Sequence, residues 1–115
     1  MVELHLAKRA LEDIKIIHQY SIDEWGNKIA DDYIKGFEFA LKNIESNPKL
    51  LRINSQISKR FRLYRVNKHF LIFESIGERI FLLTVRHVSM DLLNKLKELE
   101  PFLEQEVQYM YDRLK

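Results

Sequence analysis

Residues 79–87, RIFLLTVRH, constrain the chain more than any other stretch. On an alternating strand, Phe81, Leu83 and Val85 fall on one face and Ile80 and Leu82 on the other. A strand that is apolar on both faces needs cover on both, which places it in the middle of a sheet. The chain has 115 residues, 46% of them apolar. It reads as one globular domain, able to bury about two-thirds of its unfolded surface.

The neighbouring segments supply the rest of that sheet. RFRLYRV (60–66) has period two, and Asn67-Lys68 follows as a tight turn. HFLIFES (69–75) is a second strand, and IGE (76–78) turns around Gly77 into the third. The three form an antiparallel meander. Upstream, VELHL (2–6) alternates as a short first strand. Residues 7–25 then carry Ala7, Ala10, Leu11, Ile14, Ile17 and Tyr20 at helical steps, with Trp25 closing the helix and Gly26 stopping it. A second helix places Ala30, Tyr33, Ile34, Phe37, Ala40, Leu41 and Ile44 on one stripe. Its opposite side carries Asp31, Asp32, Lys35, Glu38 and Lys42, and Pro48 ends it. The two helices make an antiparallel hairpin with a shared apolar side.

After the meander, Ser89 is placed to cap a helix with Asp91 near its positive end. Pro101 suits the first turn of another, which divides the tail into helices at 90–99 and 101–114. Phe102, Leu103, Val107, Met110, Tyr111 and Leu114 form an apolar stripe on the second piece. It packs on the domain's own sheet or meets a partner, a homodimer being one form of that. Tyr109 and Tyr111 read as packing groups rather than stacking platforms. The expected fold is α+β: an N-terminal strand, a helical hairpin on an antiparallel sheet, and a C-terminal helix.

With no cysteine, disulfide and thiolate chemistry are excluded, and four scattered histidines do not suggest a metal site. No cofactor is indicated. The N-terminus has no apolar run long enough for a signal peptide or membrane span, so the expected location is the cytoplasm, away from membranes. Charge is unevenly spread. Residues 49–87 hold 9 Lys and Arg against 2 Asp and Glu, a net of +7. Residues 1–48 and 88–115 are net −3 and −2. The central block either attracts an anionic partner or solvates a sheet face.

Four stretches in order resemble one family. They are LAKRALEDIKIIHQYSIDEWG (6–26), ADDYIKGFEFALKNIESNPKL (30–50), FRLYRVNKHFLIFES (61–75) and IFLLTVRHVSMDL (80–92), the last ending Val-x-His-x-x-Met-Asp. Together they are similar to the ParE/RelE superfamily of bacterial toxins, in the ParE-like branch associated with toxin–antitoxin systems and plasmid stabilisation. Residues 1–97 are assigned to the toxin-like domain and 98–115 to a C-terminal helical extension of it. The tail is longer than the family pattern, and the small Gly after the exit proline is missing from NPKLLRINSQISK.

The resemblance implies a toxin neutralised by a cognate antitoxin. ParE-like members poison DNA gyrase without catalysis of their own; RelE-like members cut messenger RNA on the ribosome. A third reading is a small basic nucleic-acid-binding domain. RNA cleavage needs a base, an acid and cations for the developing phosphorane. The candidates are His87, Arg62, Tyr64 and Arg86; in the ParE-like reading none is catalytic. Strict alternation puts Arg86 with Ile80, Leu82 and Thr84 and His87 with Phe81, Leu83 and Val85, so the neighbours diverge. His87 then pins the strand-to-helix corner near Ser89 and Asp91. Arg60, Arg62 and Tyr64 share one face and Arg65 the other. The expected antitoxin- or target-binding residues are Arg60, Arg62, Arg65, Lys68 and Arg86.

Overall fold

The computed structural model describes residues 2–114, so Met1 and Lys115, the outer ends of the two segments expected at 1–97 and 98–115, lie outside it. The elements are β1 (Glu3–Leu6), α1 (Lys8–Trp25), α2 (Asn27–Ser46), a 3-10 turn at Pro48–Leu50, β2 (Arg52–Ile53), β3 (Arg62–Val66), β4 (His69–Ile76), β5 (Arg79–His87) and α3 (Leu92–Arg113). The architecture is α+β, with helices on both faces of a sheet.

The meander β3-β4-β5 forms as its turns require. Asn67 and Gly77 each take a positive φ, 53° and 59°, at the first position of their two-residue connections. Two strands join it. β1 pairs parallel to β5 and β2 antiparallel to β3, giving five strands in the order β1-β5-β4-β3-β2. β5 is therefore interior, as its two apolar faces demand.

One face is covered by α1 and α2. Phe37, Ala40 and Ile44 meet Leu71, Phe73 and Leu82 there. The other face is covered by α3, through Leu96, Leu103 and Val107 against Phe61, Ile72 and Phe81. Each fully buried side chain of this kind stabilises the fold by about 1.5–3 kcal/mol. Gly26 alone joins α1 to α2. Its φ of +87° turns the chain, its N–H donates to Ile22 O at 2.9 Å, and its carbonyl accepts from Ala30 N at 3.1 Å.

Several expectations are corrected. Leu11 and Tyr20 are 44% and 57% exposed, because α1 meets the sheet along the narrower line Ala10, Ile14, Ile17 and Ser21. Ser21 is buried despite its hydroxyl, which donates to Ile17 O at 2.8 Å. The tail is one helix, not two: Pro101 lies inside α3. An interior proline costs a helix about 3 kcal/mol. The unbroken stripe Leu92, Leu96, Leu99, Leu103 and Val107, buried on both sides of the proline, offsets that cost. Residues 97 and 98 are thus neighbours within the helix that seals the sheet. Phe102 and Leu114 point outward. The cap of α3 is Asp91, which accepts from Asn94 N at 3.4 Å, because the Ser89 hydroxyl is engaged with His87 Nδ1 at 2.7 Å.

A β-bulge changes the faces of β5. Ile72 pairs with Thr84 but the next residue, Phe73, pairs with Leu82, so Leu83 is an extra residue. Strict alternation therefore fails after Leu82. Val85 packs with Ile80 and Leu82 on the hairpin side, while Leu83 stays on the α3 side. Among the described residues no helix is long and apolar enough to cross a membrane.

Candidate functional site

The bulge decides where the junction residues go. His87 pairs with His69, and both continue the face of Val66, Leu71 and Val85 under the hairpin. By register Arg86 stands in a row with Phe70 and Arg65, but its side chain donates to Thr84 and lines a small cavity beside α1 together with His87. The bulge thus reverses, for both His87 and Arg86, the backbone direction that regular alternation gives.

The five expected cations do not make one surface. Arg62 lies with Tyr64 on the hairpin side and donates to Leu51 O at 3.5 Å. Arg60 precedes β3, so strand alternation does not apply to it. Its guanidinium meets Glu74 at 3.0 Å and also Glu104 of α3. Burial opposes the Arg60 charge, but the hydrogen bonds to Glu74 and then Glu104 outweigh it and raise its pKa. Arg60 is thus an internal tie between the sheet and α3. Arg65 is exposed and donates to Asn67 O at 2.8 Å. Arg86 Nε donates to Thr84 Oγ1 at 3.1 Å, and Lys68 sits in the β3–β4 turn. By register Arg65 and Arg86 flank Phe70, but Arg65 turns to Asn67 and Arg86 to Thr84, so the cations stay separate.

The four residues considered for RNA cleavage are likewise divided. Arg62 and Tyr64 stand on β3, whereas Arg86 and His87 stand at the end of β5 and line one small cavity beside α1. Tyr64 and His87 stand on β3 and β5, two strand spacings apart and offset by two residues along the strands, or about 12 Å, with His69 and buried Leu71 of β4 between them. The lone pair of His87 is also occupied. Ser89 N donates to Nδ1 at 3.0 Å, which leaves the ring proton on Nε2. This ring ties the end of β5 to the loop before α3, the corner-pinning role read from the sequence.

Three groups escaped the sequence reading. Asp13 of α1 accepts from Thr84 Oγ1 at 2.5 Å and from Val85 N at 3.1 Å. It satisfies the β5 edge where β1 has ended. Its helical stripe gave no sign of this, because the partner is 72 residues away. Tyr33 and His69 form the second case. Lys68 N donates to the Tyr33 hydroxyl at 3.3 Å, so that hydroxyl donates onward to His69 Nδ1 at 2.5 Å. Burial lowers the pKa of His69 to about 4, with the nearby His87 adding to the effect. Burial likewise raises that of Tyr33, against the Lys68 hydrogen bond. His69 is a neutral ring wedged against Tyr33, Phe37 and His87.

Tyr33, His69 and His87 floor a cavity of about 250 Å³ whose walls include Ile16, Ile17, Tyr20 and Trp25 of α1. A smaller one, about 180 Å³, continues along α1 to Asp13, Arg86 and Met90. Tyr20 and Trp25 stand edge to face with centroids 6.1 Å apart, and both are more than half exposed. Among the described residues no three His, Asp or Glu side chains gather as a metal site.

Comparison with known proteins adds two findings. Residues 4–92 match the family described as ParE toxin of the type II toxin–antitoxin system, parDE. A chain of the solved structure titled "Chromosomal ParDE TA system from P. aeruginosa" superposes with a TM-score of 0.68 at 16% identity, covering 76% of this chain and 97% of that one. At that identity the likeness concerns the fold. No curated protein sequence matches.

Proposed function

This chain belongs to the ParE toxin family of type II toxin–antitoxin systems, and from that premise we propose that it inhibits DNA gyrase, acts in the cytoplasm and is neutralised by a cognate antitoxin. The observation that carries the non-catalytic reading is the division of the cleavage candidates. A ribonuclease needs its base, acid and cations within hydrogen-bond reach of one phosphate. Here Arg62 and Tyr64 stand on β3, two strands away from Arg86 and His87 at the end of β5, and the His87 acceptor nitrogen is engaged by Ser89. Inhibition by binding asks for none of that convergence; it asks for exposed surface, which Arg65, Lys68 and the outer sides of α1 and α2 supply, with the partly exposed Arg62 and Arg86 beside them. Arg60, already held by Glu74 and Glu104, leaves the set of binding residues.

The test is a pair of assays on the purified chain. Added to gyrase and relaxed plasmid, it abolishes supercoiling and accumulates cleaved DNA, and the cognate antitoxin restores supercoiling. In a translating extract, messenger RNA stays intact. Unimpaired supercoiling together with codon-positioned RNA cuts that vanish in His87→Ala would replace this reading with the ribosome-dependent one.

A further inference from the structure

Between the loop that joins β2 to β3 and the first turns of α3 lies a cavity of about 370 Å³. Its volume falls within the roughly 300–1,000 Å³ of small-molecule sites. Its helix wall begins at Leu93, just past residue 92, where the family match ends. Ile57, Leu93 and Leu96 give it apolar walls. Leu93 is 38% exposed, so a guest seated against it removes apolar area from water. The polar lining mostly donates. Ser58 Oγ accepts from Arg60 N at 3.1 Å and from Phe61 N at 3.0 Å, which uses both lone pairs and turns its proton away from them. Lys59 lines the loop wall and Lys97 the helix wall, and among the described residues neither has an ion-pair partner. Arg60 also borders the cavity, but its guanidinium is held by Glu74 and Glu104. Glu100 is the one carboxylate among the described residues that line it. Two unpaired ammonium groups against one carboxylate leave a place for a single negative charge.

We propose that this cavity binds a small organic monocarboxylate. The apolar body of the ligand lies against Ile57, Leu93 and Leu96, and its carboxylate accepts from Ser58 Oγ, Lys59 and Lys97. Hydrogen bonds from charged donors to a carboxylate are the stronger kind, and the apolar walls supply the rest of the affinity. A doubly charged phosphate ester is a poorer guest, because Glu100 repels the second charge. The inference goes beyond the toxin reading and stands without it, since neither gyrase nor an antitoxin enters the test.

The full chain is titrated with phenylacetate and followed through its amide resonances by nuclear magnetic resonance. The amides of Ser58, Lys59, Leu93 and Lys97 shift and saturate together. Phenylacetate binds about 10-fold or more tightly than acetate, because its ring adds buried apolar area. The double reversal Lys59→Glu/Lys97→Glu weakens phenylacetate by about 10-fold or more. Glu100→Gln strengthens it by about threefold, the scale of one exposed charge contact, and damage to the fold would not produce such a gain. Lys42→Glu, at an exposed position on α2, stays within about twofold of the parent, since salt screens so distant a charge. Circular dichroism confirms that each variant is folded. Shifts that fail to saturate or that scatter over the surface overturn the site. So do equal affinities for acetate and phenylacetate, or undiminished binding in the double reversal. Phenyl phosphate binding more tightly than phenylacetate overturns the assignment to a monocarboxylate.

Discussion

Replacing His69 by Asn isolates the contribution of a buried neutral imidazole to acid sensitivity. The ordinary histidine pKa is 6.5 and the folded environment lowers it to about 4. The cause is burial first and the neighbouring His87 charge second. Between those values the unfolded chain takes up a proton that the folded chain refuses. Stability therefore falls as pH drops through this window, and the full contribution is present only above about 6.5. At roughly 1.4 kcal/mol per unit, the shift corresponds to about 3 kcal/mol for a fully shielded ring. His69 is only half-buried, and solvent screening reduces this to about 1–2 kcal/mol. Urea unfolding at pH 7.5 and pH 4.5 measures it. The parent loses about 1–2 kcal/mol more than His69→Asn over that interval, and carboxylate contributions common to both cancel. Nuclear magnetic resonance titration of the ring gives a midpoint well under 6. A midpoint at or above 6.5, or equal losses in the two proteins, would show that the ring is open to water and refute the packing described for Tyr33, Phe37 and His87.

Asp13→Ala leaves the Val85 amide and the buried Thr84 hydroxyl without their acceptor; it costs about 1–3 kcal/mol, and hydrogen exchange at Val85 accelerates measurably. Pro101→Ala restores a backbone donor within α3 and raises stability by about 1–3 kcal/mol, seen as a higher melting temperature. Leu103→Ala opens a cavity under α3 and costs about 2–5 kcal/mol in chemical denaturation. Truncation after residue 97 removes both Leu103 and Val107 from the core, and the loss of cooperative unfolding reports that the tail belongs to the fold.

What the sequence determined by itself is the set of local elements. Helical spacing in α2 identified its buried stripe residue by residue, period two identified β3, β4 and β5, and Asn67 and Gly77 marked the turns between them. The order of four motifs also carried the family, since each motif reflects a local backbone requirement. Tertiary structure alone decided the rest. The bulge at Leu83 reverses the faces of Val85, Arg86 and His87, and the tertiary fold also decides whether an Asp 72 residues away can serve the freed edge. Pro101 stays inside α3 because packing on the sheet outweighs a local penalty. The exposure of Tyr20 and Trp25, and the capture of Arg60 by two glutamates, follow from which surfaces meet once the layers close. Periodicity specifies how a segment repeats along its own axis. It contains nothing about the distant side chains that finally surround it, and the groove along α1 is built from those.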